Sequence, residues 1–424
     1  MKYILDFARL IVGNLFIFSG LVKANDPLGF SYKLEEYFME FGMNWDWLHE
    51  ILVPLAAFLC IIEILLGVAL LVAYRMKIVA WLLLLMIVFF TILTGASAIF
   101  EIVRSCGCFG DAIPLTPWQS FYKDLVLMVF ILLIFFKKEE IKPYEKISQW
   151  FILFLLSSLI LLPLSIMLEW YMILEVSLVL WLPLIVKLIA KQGKIIPPIA
   201  VILSLIYSLY VTIVAVNYLP FRDFRPYAVG KNIPEQMKLP EGAQPPIYEN
   251  ILVYKNKKTG EVKEMNDEEY NASKIWENKD WEWQSTDSEL IQEGDVAPIT
   301  DLSFLTPNGR EFTDKVLAAP KVLLIICYDL SKTSTAHFEE IKELAKQATA
   351  NGIRVGGVSS AGKEEKNQYI EEHDLNFDFL VADGIVLKTI VRSNPGLIYL
   401  EEGTIKGKWH ENALPDIEEL TQAE

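Results

Sequence analysis

ILVPLAAFLCIIEILLGVALLVA, residues 51–73, runs for 23 positions with one charge, Glu63. The hydrocarbon core of a bilayer takes about 20 apolar residues of helix, so this stretch reads as a membrane span. On either side of it, similar runs fill about 4–23, 77–99, 119–136, 148–168, 170–190 and 195–218, giving seven spans. Pro163 and Glu169 interrupt the fifth and sixth, where a single kinked span is the alternative.

The 424-residue chain is 53% hydrophobic and yet charged at 21% of its positions. Soluble domains are typically about 45–50% apolar, and the two figures agree only if the halves of the chain meet different solvents. The apolar runs do end near residue 218, and most acidic residues lie beyond it. A net charge of −15 excludes a nucleic-acid partner, because binding a polyanion needs a basic surface that displaces counterions. The first run is followed by Lys23-Ala24-Asn25-Asp26-Pro27 and not by a small-residue cleavage site, so it is read as an uncleaved span.

Lys and Arg concentrate in short loops on the cytoplasmic side. With the N-terminus inside, the inner set is Lys2, Arg75, Lys77, Lys137, Lys138, Lys142, Lys146, Lys187, Lys191 and Lys194, and the outer set is Lys23, Lys33, Arg104 and Lys123, ten to four. That bias predicts a cytoplasmic N-terminus. It places the hydrophilic tail and the loop at Cys106 in the outer compartment, where disulfides persist. Five spans would leave the tail on the same side. The expected organisation is multi-domain: a four-helix membrane bundle over 1–140, about three further membrane helices over 141–219, a partly strand-rich connector over 220–292, and an α/β domain over 293–424.

In the last segment strands alternate with a helical pattern. Strands are expected at Lys321 to Tyr328, Ile353 to Ser359, Phe377 to Val381, Leu397 to Leu400 and near Ile405 to Trp409, with a helix at Thr335 to Ala350, which predicts a mostly parallel sheet. This succession resembles the thioredoxin-like fold, and Gly294-Asp295-Val296-Ala297-Pro298 resembles the entry segment of its peroxiredoxin and TlpA-type branch. The resemblance implies Cys-x-x-Cys where this chain has Ser331-Lys332-Thr333-Ser334, and no thiol is there. It also implies a cis peptide before Pro395, with the Asn394-Pro395 corner contacting a bound chain. Cys327 reads as buried and inert. The domain is expected to be a binding module or a lapsed redox domain.

Of the four cysteines only Cys106 and Cys108 look arranged. Two thiols one glycine apart can close a ring only through a sharp bend, which Gly107 permits, and such a disulfide is strained and exchange-competent. The alternative is a tight loop lock, or two reduced thiols packed under Phe109. No metal is expected, since a closed zinc site needs four ligands and His49 adds at most one. Lys23 and Lys123 fall at the outer ends of their spans, with Asp124 beside the latter. There an ammonium favours thiolate, and interfacial anchoring is the equal alternative. Glu63 lies near mid-span at the depth of Asn14, with Arg9 roughly 7 Å below at 1.5 Å per residue. A buried carboxyl needs a partner, so Glu63 is expected to bond Asn14 or Arg9 as a polar clasp. A single histidine in the membrane half excludes haem held by two histidines there. No cofactor is identified, and a quinone entering from lipid stays open.

Arg9, Phe18-Ser19-Gly20-Leu21-Val22-Lys23, Asp26-Pro27, Glu63-Ile64-Leu65-Leu66-Gly67, CGCFGD at 106–111 and PWQSFYKD at 117–124 together resemble the DoxX/MauE family of four-helix membrane proteins over about residues 1–140. The whole chain is similar to the long form found in Bacteroidetes. The resemblance implies a bundle similar to the vitamin K epoxide reductase type in a bacterial inner membrane, and a part in disulfide or redox maturation of exported proteins. Two functions follow. One is a membrane thiol–disulfide oxidoreductase component that uses Cys106 and Cys108, with the periplasmic domain presenting exported clients. The other is a non-enzymatic subunit of an envelope complex that binds its partner through the Asn394-Pro395 face. A transporter ranks third, since it rests on one buried acid.

Overall fold

The computed structural model describes residues 2–100, 107, 109–190, 195–244, 247–292 and 294–421. It divides into two compact units, one formed by Met1–Val229 with Ser303–Glu424 and the other by Gly230–Leu302.

The first unit opens with eight helices: α1 (Lys2–Asn25), α2 (Pro27–Glu40), α3 (Asp46–Leu71), α4 (Met76–Phe100), α5 (Pro117–Phe136), α6 (Ile147–Met167), α7 (Met172–Ala190) and α8 (Ile196–Asn217). All seven expected spans are helices, and among the described residues six of them are long and apolar enough to cross a membrane. The remaining one is α7, whose 19 residues carry Glu175 in the first turn and Lys187 in the last. Contacts at its ends fix how far it runs. Asn25 and Arg222 exchange hydrogen bonds of 2.7 and 3.1 Å, so α1 and α8 finish at the same end of the bundle. Arg222 also pairs with Glu169, just before α7, at 3.0 Å. At the opposite end Lys187 Nζ donates to Glu145 O, and Tyr144 beside it donates to Asp6 near the start of α1. Thus α7 runs from one end of the bundle to the other, about 28 Å at 1.5 Å per residue.

The sequence pattern did not mark α2. Its start is built from Asp26, whose carboxylate accepts from the Gly29 amide at 2.8 Å, and from Pro27 in the first turn. Helices α1 and α3 pack closely because a Cβ on Gly67 would lie 2.5 Å from Gly13 O, and such small-residue contacts are how helices approach in lipid. Arg9 crosses that seam and donates to the terminal carbonyls of α3, Leu70 O at 3.3 Å and Leu71 O at 2.6 Å. Large apolar side chains such as Leu85, Ile92, Val129 and Ile206 remain exposed around the bundle, as lipid-facing positions require.

In the second unit a short helix α9 (Ile233–Gln236) precedes strands β1 (Ile247–Asn256) and β2 (Val262–Met265), helix α10 (Asp267–Ser273) and strand β3 (Trp281–Gln292). The three strands form an antiparallel sheet in the order β2-β1-β3. Tyr254, Met265 and Ile275 are its buried core.

The rest of the first unit comprises α11 (Thr313–Leu317), β4 (Val322–Ile326), α12 (Phe338–Ala350), β5 (Arg354–Ser359), α13 (Lys363–His373), β6 (Phe379–Val381), α14 (Gly384–Ile390), β7 (Gly396–Glu401), β8 (Thr404–His410) and α15 (Ile417–Thr421). Its sheet runs β6-β5-β4-β7-β8, with β4, β5 and β6 parallel and β7 and β8 added antiparallel. The central strand β4 is buried throughout, which explains its unbroken apolar sequence. The helix expected from Thr335 starts at Phe338, because Leu330–Lys332 form a 3-10 turn and the chain straightens after it. The Asn394–Pro395 peptide is cis.

Candidate functional site

Cys106 and Cys108 lie outside the described residues, and Gly107 between them is described. Gly107 has φ +67 and Gly110 φ +51, the left-handed region that glycine enters without strain. Gly110 N donates to Gly107 O at 3.0 Å and Ala112 N to Phe109 O at 3.2 Å, which ties Gly107 to the turn at 109–112. Phe109 anchors them, being buried with its ring 5.3 Å from that of Phe18 and Lys123 Nζ 5.0 Å from its face. On the other side the stem of Lys33, from α2, packs against Gly107, with its Cγ 3.3 Å from where a Cβ would stand.

Gly107 lines a cavity of about 600 Å³ at the end of the bundle where α1 and α8 finish. Lys23, Asp26, Lys33, Asp111 and Asp223 contribute from the bundle side, while Lys388 and Arg392, from α14 and the residues after it, close it from the α/β side. Its cations are largely paired. Lys33 reaches Glu36 at 2.9 Å, Lys388 approaches Glu35 at 4.0 Å, and Arg392 meets Asp26 at 2.9 Å.

Lys23 does not stay at the interface as an anchor. It is buried, its Nζ 2.8 Å from Glu63 Oε2 and 4.4 Å from the Phe90 ring centroid. This corrects the expected bond from Glu63 to Asn14 or Arg9. The close approach of Gly13 and Gly67 sets the register of the antiparallel pair α1 and α3, which puts Glu63 above Asn14. Side chains on a helix lean toward its N-terminus, so Lys23 reaches down to meet the acid. Arg9 is spent on the end of α3, and Asn14 donates to Leu10 O and to Ser157 at 3.2 Å. Asp124, buried on α5, takes Lys123 at 2.8 Å and the Thr94 hydroxyl at 3.1 Å.

Sequence reasoning missed a second group of charges, which joins the α/β segment to the bundle. Asp223 accepts from Arg225 Nε at 2.7 Å and from Lys408 Nζ at 2.6 Å, and Arg225 Nη1 donates to Thr389 O at 2.8 Å. Burial opposes the Asp223 charge, yet Arg225 and Lys408 together hold its carboxyl well below the usual range. Burial, then the neighbouring Arg225 charge, pushes the Lys408 ammonium down to about 7. Asp26, also opposed by burial, is held low by Arg392 and Arg225. Asp223 and Arg225 directly follow the last span, but nothing in the sequence marks partners 160 or more residues away.

The Asn394-Pro395 corner is engaged within its own domain. Pro395 is buried. Asn394 O accepts from Ser334 N at 2.9 Å, its Oδ1 from Thr333 at 3.1 Å, and its Nδ2 donates to Asp329 O at 2.8 Å. Residues around this corner meet the bundle: Tyr328 OH lies 3.2 Å from Tyr32 OH, and Asn412 donates to Asn217 O at 2.7 Å. Cys327 is buried, and burial pushes its thiol up to about 12, which makes it inert. Among the described residues no cluster of His, Cys, Asp and Glu is arranged to hold a metal. His49 instead bonds Glu35 and Asn44, each at 2.8 Å.

A bundle of membrane-crossing helices that carries a mixed α/β sheet on one end, with a charged cavity between them, defines a polytopic membrane protein. Residues 1–137, which cover α1 to α5 and the turn at Gly107, match the family described as methylamine utilisation protein MauE. No curated protein and no solved structure matches the chain.

Proposed function

We propose that this protein is a thiol–disulfide maturation component of the bacterial inner membrane, with its N-terminus cytoplasmic, its α/β domain periplasmic, and Cys106 and Cys108 as the working pair. The observation that carries it is the position of Gly107: the residue between the thiols lines a cavity walled by charged side chains and roofed by an α/β domain. The MauE family domain is compatible with an accessory or maturation role at the membrane. The sheet order β6-β5-β4-β7-β8 supports a thioredoxin-like fold for the roof, without the paired thiols of that fold.

In the forward step a client thiolate attacks one sulfur of the Cys106–Cys108 disulfide and releases the other as thiolate. A second client thiolate then displaces the mixed disulfide. The client gains one disulfide, and the pair takes up two electrons and is left as two thiols. Its return to the disulfide needs a two-electron acceptor, for which a lipid-borne quinone is the class that suits this location.

Replacing each cysteine singly with serine tests this in cells. Cys106→Ser or Cys108→Ser leaves one thiolate, which can attack an existing disulfide of a client and release a client thiolate but has no partner thiol to resolve the adduct, so each is expected to accumulate mixed disulfides with exported proteins on non-reducing gels. If neither variant traps a client and every exported disulfide still forms, the protein is an assembly subunit and the redox role is lost.

A further inference from the structure

Arg392 is the most heavily engaged charge between the α/β segment and the bundle. Its side chain is only 6% exposed, and a guanidinium so enclosed must have its partners supplied by the fold. Nε lies 3.1 and 3.0 Å from the two oxygens of Asp26, and Nη2 lies 2.9 Å from Oδ2, a fork that lysine cannot reproduce. Nη1 donates to the carbonyl of Lys388, which holds the fork to its own helix α14. The guanidinium carbon stands 5.3 Å from the Tyr32 ring centroid, and Nη2 is also 3.8 Å from Asp111 Oδ2.

Asp111 ends the Cys-Gly-Cys-Phe-Gly-Asp sequence, and its neighbour Gly110 is hydrogen-bonded back to Gly107. Gly29 supplies an independent sign that the fork is built in. A Cβ there would run into the Asp26 carboxylate and stand 2.7 Å from Arg392 Nη2, so only glycine leaves the fork room to close.

We infer that Arg392 is a positioning residue which latches the α/β domain onto the end of α1 and, through Asp111, onto the turn that follows Gly107, so that undocking the domain also frees that turn. Its consequence for redox chemistry rests on the proposed role of Cys106 and Cys108.

The test is the alkylation rate of each cysteine in the full-length protein in membranes, after reduction and removal of the reductant, read by mass spectrometry. Arg392→Gln and Gly29→Ala are each expected to speed labelling of Cys106 and Cys108 roughly tenfold or more, since both open a buried charge pair. Asp111→Asn leaves the Asp26 fork intact and should give a smaller rise, roughly threefold. Cys60 and Cys327, both buried, should stay protected throughout. Wild-type rates in Arg392→Gln and Gly29→Ala would overturn the latch, and so would labelling of Cys327 in step with the pair, which would mean lost fold and not release. A pair that is redox-inert in cells but is freed by Arg392→Gln would remove the proposed function and leave the latch standing. A redox-active pair indifferent to Arg392 would do the reverse.

Discussion

Lys23 and Glu63 form an ion pair with side chains 3% and 5% exposed, so each offsets much of the other's cost of leaving water. Lys23→Met or Glu63→Leu alone should cost roughly 3–5 kcal/mol by stranding a buried charge, while the double replacement should recover most of the loss. Melting temperatures of the detergent-solubilised variants check this, and equal losses for the single and double variants would contradict it. The need for a buried partner was legible in the sequence, since Glu63 interrupts an apolar run. Its identity was not, because counting residues from the ends of spans misses the register that Gly13 and Gly67 impose. Asp223 and Lys408 were invisible for a different reason: the pair is separated by the whole α/β segment. Their pH dependence has a defined sign. Asp223 is lowered from 3.8, so its contribution to docking is present above that value and is lost as pH falls toward the depressed one. Lys408 is lowered from 10.5 to about 7, so its burial opposes docking fully below 7 and stops doing so as pH rises toward 10.5. Protease resistance of the docked domain should therefore fall below about pH 4 and rise between pH 7 and 10, and Lys408→Met should remove the alkaline rise.

Seven of the eight long helices were legible as apolar runs, because the bilayer fixes both length and composition. Helix α2 escaped, since Glu35, Glu36 and Glu40 interrupt its apolar face, yet it supplies Tyr32 and Lys33 to the cavity. At the start of α3, Trp45 and Trp47 stack with ring centroids 5.8 Å apart, and at the start of α5 Trp118 and Tyr122 stack at the same separation. All four are exposed and lie at the docking end of the bundle, where an aromatic belt marks the headgroup level. Lipids brominated near the headgroup should quench tryptophan fluorescence in reconstituted protein, and replacing Trp45 and Trp47 with phenylalanine should remove a clear part of that quenching. Unchanged quenching would take α3 out of the interface. The strands of the α/β segment were read to within a few residues, helped by the buried apolar run of β4. Sequence did not show the contacts made around Pro395, where Tyr328 meets Tyr32 and Asn412 meets Asn217 of the bundle.

At the scale of the whole molecule, α1 and α8 finishing together is what brings residues 223–225, the α/β segment and the turn at Gly107 to one end. The excess of Lys and Arg in the sequence at the other end is why that end is proposed to be cytoplasmic. In that proposed orientation the turn at Gly107 lies in the outer compartment, beneath an α/β segment held by Arg392 and Asp223. The most direct test is gel-shift alkylation of Cys106 and Cys108 in intact cells, acid-quenched to freeze their redox state. The account predicts that a substantial fraction of the pair is recovered as disulfide, shifting only after reduction, while Cys60 and Cys327 remain thiols. Recovery of both Cys106 and Cys108 as thiols under all growth conditions would contradict it.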